Sequence, residues 1–207
     1  MLYAIKKAIA DNIEGIAYLH KDRFRDHFLG HYPIFIIERF YESFLDTSLF
    51  FVALQENNVV GFVMGGTSTE LQTFKKNFIK KNLFKCLLST ICIPSIYIDA
   101  LYRAKQMMNR PVNKKGLPTP SAASIRLLSI AVSENMQGTG LASVLIDTFE
   151  QHIIEGVFQY GLSVKDTNKR AISFYKKMGF QLEKEIDHSL YLIKKLENGV
   201  KSEHFTY

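Results

Sequence analysis

The chain reads as an α/β (α+β) domain built on a mixed, mostly antiparallel central sheet flanked by helices, and three features of the 207 residues carry that reading. The C-terminal half alternates strand, helix, strand, helix, which implies a right-handed crossover between parallel strands. Hairpin patterns stand on either side of that unit and imply antiparallel pairing. Hydrophobic residues make up 47% of the chain, enough for one sizeable core. The expected boundaries are one domain over 1–196, with an insertion at 67–121, and a C-terminal tail over 197–207.

The elements follow in order. "LYAIKKAI" has strand composition, and Asp11 or Asn12 is placed to cap a helix in which Ile13, Ile16, Ala17, His20 and Phe24 recur at helical spacing. Gly30 is expected to end that helix. Pro33 suits the first turn of a second one, "PIFIIERFYESFLD", with Ile37, Phe40, Tyr41, Phe44 and Leu45 on one side. "LFFVALQ" and "VVGFVMGG" are β-rich runs separated by Glu56, Asn57 and Asn58, a hairpin signal. Between 67 and 121 the spacing of Leu71, Phe74 and Phe78 predicts a helical insertion that ends in a loop holding Pro111, Gly116, Pro118 and Pro120. "SIRLLSIAV" is apolar at successive positions, as in a strand covered on both faces. The helix after it should bury Leu141, Val144, Leu145, Thr148, Phe149 and His152. A strand "VFQYGLSV", a helix from Asn168 to Met178, and an antiparallel pair "FQLEKEI" and "SLYLIKKL" complete the domain.

The formal charge of +6 and pI near 9.2 suit an anionic partner: a phosphate-bearing cofactor, a nucleic acid or a membrane surface. Cys86 and Cys92 form no metal-ligand pattern and read as buried, reduced thiols, so no metal is expected. Lys6, Lys7 and Asp11 break the apolar core that a secretory leader would need, and Lys85, Pro94 and Asp99 interrupt the most apolar stretch, 83–102. The expectation is a cytoplasmic protein without a transmembrane segment.

The stretch "AVSENMQGTGLASVLI" runs from strand through a glycine turn into a helix. There, several N–H groups lack intrahelical partners and the helix dipole adds positive charge, so an anion is favoured. Gly138 and Gly140 let backbone approach a pyrophosphate closely, although glycines also serve local turn geometry alone. A dinucleotide fingerprint would need glycine or alanine at Ser143, and a P-loop would need lysine after the second glycine, where Leu141 stands.

Gln137, Gly140 and Ala142 form QxxGxA instead. Together with "LLSIAV" before it and "NKRAISFYKKMGF" after it, this resembles the GCN5-related N-acetyltransferase (GNAT) superfamily. Asn168, Ala171, Phe174, Tyr175, Gly179 and Phe180 carry the second half of the likeness. The resemblance implies acetyl-CoA as cofactor. Its diphosphate would be held by backbone N–H groups of Gln137, Gly138, Thr139, Gly140, Leu141 and Ala142. Its pantetheine would pair with the strand edge at Ile130, Ala131 and Val132, where the strand is expected to splay from its parallel neighbour. The resemblance gives Asn168 a place beside the pantetheine, and the same residue reads as a helix N-cap. It gives Tyr175 the task of protonating the departing thiolate, and the same residue reads as a core aromatic beside Ala171 and Met178. For the general base, Glu134 reads as a solvated turn residue; Glu38, Glu42, Asp99, His27, His31 and water stay open.

The insertion sets Lys75, Lys76, Lys80, Lys81 and Lys85 among Phe74, Phe78 and Phe84. Such lysines more often form a solvated helix face than a membrane or nucleic-acid surface, so nucleic acid and peripheral membrane contact are not favoured. Lying after the third strand, the segment is placed to cover the acceptor side as a lid. The leading expectation is an N-acetyltransferase acting on a primary amine of a small molecule such as an aminosugar. A protein N-terminus as acceptor and a non-catalytic acyl-CoA sensor stand as alternatives, and a homodimer is compatible with either.

Overall fold

A computed structural model describes residues 3–25, 27–92 and 123–196, with 90–92 as backbone. The expected loop with Pro111 to Pro120, Asp99 and the tail over 197–207 lie outside the described residues.

Seven strands form one sheet in the order β1-β2-β3-β4-β5-β7-β6. They are β1 (Ala4–Lys7), β2 (Phe50–Gln55), β3 (Asn58–Thr67), β4 (Ile125–Val132), β5 (Gln159–Lys165), β6 (Gln181–Ile186) and β7 (Ser189–Lys195). All neighbours are antiparallel except β4 and β5, which are parallel. The helices are α1 (Ile13–Arg23), α2 (Ile34–Glu42), α3 (Ser68–Cys92), α4 (Leu141–Gln151) and α5 (Lys169–Lys177).

Alternation along the central strands sends side chains to two cores. Phe51, Ala53 and Val63 join Leu141, Leu145, Ile146 and Phe149 of α4 and Ile172 and Tyr175 of α5 on one face. Phe50, Val52, Phe62 and Met64 join Ile16 and Ala17 of α1, Ile37 and Tyr41 of α2 and Leu71 of α3 on the other. The hairpin β2–β3 turns on Glu56 and Asn57, both at positive φ, and β6–β7 on Asp187 and His188, also both positive. Such primed turns match the twist of the flanking strands. Asn58 is therefore the first residue of β3 rather than a turn residue.

Four local expectations need correction. First, α1 ends at Arg23, not at Gly30. Gly30 sits in a 3₁₀ turn, Phe28–His31, where a Cβ would lie 2.0 Å from the Phe24 carbonyl oxygen, so the chain doubles back onto the end of the helix. Second, a 3₁₀ turn over Ala10–Asn12 precedes α1, and the Asn12 side chain accepts the Ile9 N–H at 3.1 Å instead of capping α1. Third, α4 buries Leu141, Leu145, Ile146 and Phe149, while Val144 is exposed and His152 lies beyond the last turn. Fourth, β4 is not covered on both faces: Arg126, Leu128, Ser129, Ile130 and Val132 are only half-buried. The reason for that openness is the site itself.

Candidate active site

β4 pairs with β3 along its length, but with β5 only at Ile125↔Tyr160 and Arg126↔Gly161. Beyond those two rungs the parallel strands part. β5 is held on its far side by β7, paired at all seven positions from Gln159↔Lys195 to Lys165↔Ser189. Past that parting, the edge of β4 at Ile130, Ala131 and Val132 is left without a strand partner, although those residues pair normally with Val63, Phe62 and Gly61 on the other side. An unpaired edge is a row of amide donors and acceptors that an extended ligand can complete.

A cavity of about 1050 Å³ occupies the gap. At one end stand the glycine turn and α4. Gly138 and Gly140 have φ of +78° and +87°, and a Cβ on either would meet nothing within 4 Å, so the turn faces open space. The amides of Gln137 and Thr139 are taken by the carbonyls of Glu134 and Met136, at 3.1 and 3.4 Å. Those of Gly138, Gly140, Leu141 and Ala142 bond to no protein group among the described residues. Four free amides at a helix N-terminus suit a diphosphate, so the residues fit the expected coenzyme. Of the turn residues, Gln137, Gly138, Gly140, Leu141 and Ala142 line the cavity, and Thr139 instead donates its hydroxyl to the Met136 carbonyl at 2.7 Å.

Across the gap, Asn168 caps α5, its side-chain oxygen accepting the Ala171 N–H at 3.1 Å, and it also lines the cavity. The N-cap read from the sequence is therefore formed. Tyr175 is 8% exposed, packs its ring on Phe174 and Phe180 with centroids at 5.4 and 5.5 Å, and borders the same cavity. Burial pushes its phenol up to about 12, so it stays a proton donor.

The other end is walled by α1, α2 and α3: Phe24, Tyr32, Ile36, Phe40, Phe78 and Ile79 supply an apolar, aromatic lining. α3 adds Lys75, Phe78, Ile79 and Cys86 to this wall. Cys86 is half-exposed rather than buried, and desolvation raises its thiol pKa, which leaves it a poor nucleophile. Among the described residues no Asp or Glu lines the cavity. Glu134 is 86% exposed, paired loosely with Arg23 at 3.9 Å, and Glu38, Glu42 and His31 do not border the cavity, whereas His27 does.

Sequence reasoning missed two groups. Lys165 and Arg170 flank Asn168 and put positive charge on the cavity wall, a local signal that stood beside the motif. His20, Tyr41 and Ser129 meet in the wall from three separate segments, and no spacing rule joins them.

Comparison with known proteins bears on the fold. Residues 122–191, from just before β4 into β7, match the family model described as FR47-like protein. No curated protein matches the sequence. Among solved structures, an N-acetyltransferase from Staphylococcus aureus Mu50 is 20% identical with a TM-score of 0.59, covering 93% of this chain and 100% of its own. Ard1 from Thermoplasma volcanium is 17% identical with a TM-score of 0.57, over 96% and 100%. PaiA N-acetyltransferase from Thermoplasma acidophilum, solved in complex with coenzyme A, is 14% identical with a TM-score of 0.52, over 95% and 100%.

Proposed function

We propose that this chain, which carries an FR47-like segment over residues 122–191 and shares its fold with solved N-acetyltransferases, is an acetyl-CoA-dependent N-acetyltransferase of the GNAT type acting on a primary amine of a small molecule. The observation that carries this reading is the unpaired edge of β4 leading to the four free amides beside Gly140. The unit doing the work is residues 1–196.

Acetyl-CoA supplies an acetyl group activated as a thioester. The amides of Gly138, Gly140, Leu141 and Ala142 hold its diphosphate, with Lys165 and Arg170 adding charge. The free edge at Ile130, Ala131 and Val132 aligns the chain that follows, which fixes the reacting carbon against the acceptor half of the cavity. Tyr175 holds the proton for the leaving sulfur. A phenol near pKa 12 donates to a thiolate only where the thiolate is equally desolvated, and the same buried slot raises the basicity of both. The aromatic wall from α1 to α3 excludes water and accepts the apolar body of a small amine.

The test is to incubate a panel of sugar amines, alkylamines and peptides with acetyl-CoA while following free thiol. Release with small amines and none with peptides is expected. Release with peptides alone moves the acceptor to protein N-termini, and binding of coenzyme A without any release would make the chain a sensor.

A further inference from the structure

His20 on α1, Tyr41 on α2 and Ser129 on β4 form a hydrogen-bonded chain in the cavity wall. Nδ1 of His20 lies 2.7 Å from the Tyr41 hydroxyl, which lies 3.2 Å from Oγ of Ser129. All three border the cavity. His20 is 6% exposed and Tyr41 0%. Ser129 lies one residue before Ile130 on the free edge of β4 and pairs across β3 with Met64, which turns it to the acceptor face of the sheet.

The arrangement is costly for a purely structural one. Nε2 of His20 is buried, with no hydrogen-bond partner among the described residues, and an unsatisfied buried polar atom is destabilising. A phenylalanine there would avoid that cost. Acetyl transfer, meanwhile, needs a group to take a proton from the acceptor nitrogen, and no carboxylate borders the cavity among the described residues.

Resting on the acyltransferase reading above, we propose that Ser129, Tyr41 and His20 are the proton relay for the acceptor nitrogen, with His20 as its store. As the nitrogen–carbon bond forms, Oγ of Ser129 takes the N–H proton while its own proton passes to the Tyr41 oxygen. The Tyr41 proton passes to Nδ1 of His20. The carbon–sulfur bond breaks and the sulfur takes the Tyr175 proton. After the products leave, His20 returns its proton along the same chain to water, and Tyr175 regains one from water. The sum is amine plus thioester giving amide plus thiol.

The electrostatics fit a relay that passes protons on. Desolvation, with smaller contributions from the charges of His27 and Lys21, lowers His20 to about 4, so it is neutral near pH 7 and free to take a proton. Burial raises Tyr41 well above the ordinary phenol range, so it cannot rest as a phenolate and must gain one proton as it gives another. The nitrogen becomes acidic only once bonded to the acetyl carbon, which is when a weak base suffices.

His20→Asn keeps a polar group facing Tyr41 but cannot store a proton, and Ser129→Ala removes a single oxygen from the entrance. With an alkylamine acceptor, both variants should lose about 100-fold in kcat while calorimetric binding of coenzyme A is unchanged. With a hydrazide, whose bonded nitrogen sheds its proton without help, the loss should be under about tenfold. A lesion of structure would slow both acceptors alike. Equal losses on the two acceptors, or kcat within about twofold of wild type on the alkylamine, overturn the relay. Should His20→Asn fail to bind coenzyme A, Ser129→Ala carries the test alone. Wild-type protein that binds coenzyme A but releases no thiol whichever amine is added overturns the acyltransferase reading itself, a distinct result.

Discussion

The two ends of the cavity are made of different materials. The end proposed for the cofactor is mainly backbone from one contiguous stretch: the free edge at Ile130 to Val132 and the amides around Gly140. The end proposed for the acceptor is side chains from α1, α2, α3 and the turn between α1 and α2, scattered between His20 and Cys86. Main-chain groups can bind one shared ligand whatever the side chains are, provided that glycines keep the turn open. Side-chain walls must be composed anew for each acceptor. One molecule thus carries a generic half and an individual half, which is how a fold supports many substrates with one chemistry.

Four experiments break or sharpen that contrast. The largest effect is expected where the halves meet: Tyr175→Phe should lower kcat by about 100-fold or more with coenzyme A affinity intact, measured by thiol release and calorimetry. A loss below about threefold would return Tyr175 to the core. Acidification should then separate the halves. The folded-state pKa of His20 is lowered from 6.5 to about 4, so the unfolded chain binds the extra proton first. His20 therefore costs no stability above about pH 6.5, and stability falls as pH drops from there towards 4, by about 3 kcal/mol at most. Urea melts at pH 7 and 4.5 should show this slope, and His20→Asn should flatten it, whereas no titrating side chain is built into the glycine turn.

Gly140→Val should weaken coenzyme A binding by at least about tenfold. A β-branched residue at φ +87° carries about 1–2 kcal/mol of strain, and its side chain would project into the space that the free amides face. Unchanged affinity would mean that the phosphates sit elsewhere. The smallest effect is expected from Phe24→Ala, whose ring lies 4.7 Å from that of His20. It should raise the acceptor KM by several-fold to about tenfold and leave the KM for acetyl-CoA unchanged. A change in both would show that the two halves are not separable.

Much of the scaffold was legible because its causes are local. Alternating apolar residues set β2 and β3 between two cores, Pro33 opens α2, and Asn168 caps α5. The glycine turn was equally legible, since positive φ at Gly138 and Gly140 is written in residue type. Misreadings arose where a distant contact decided. α1 stops at Arg23 because the chain folds back so that Gly30 meets the Phe24 carbonyl, and nothing in the helical spacing before Gly30 announces this. β4 looks fully apolar yet stands half open, because it parts from β5 after two paired positions.

Residue type and spacing by themselves determined the fold class, the strand–turn–helix that presents free amides, and the motif that carries the GNAT resemblance. These depend on backbone geometry within a few residues. Only the tertiary structure decided how far β4 and β5 part, which helices wall the acceptor, and that His20, Tyr41 and Ser129 touch across separations of 21 and 88 positions. Hydrogen bonds act over about 3 Å, and such proximity between remote segments is a product of packing that no local pattern encodes.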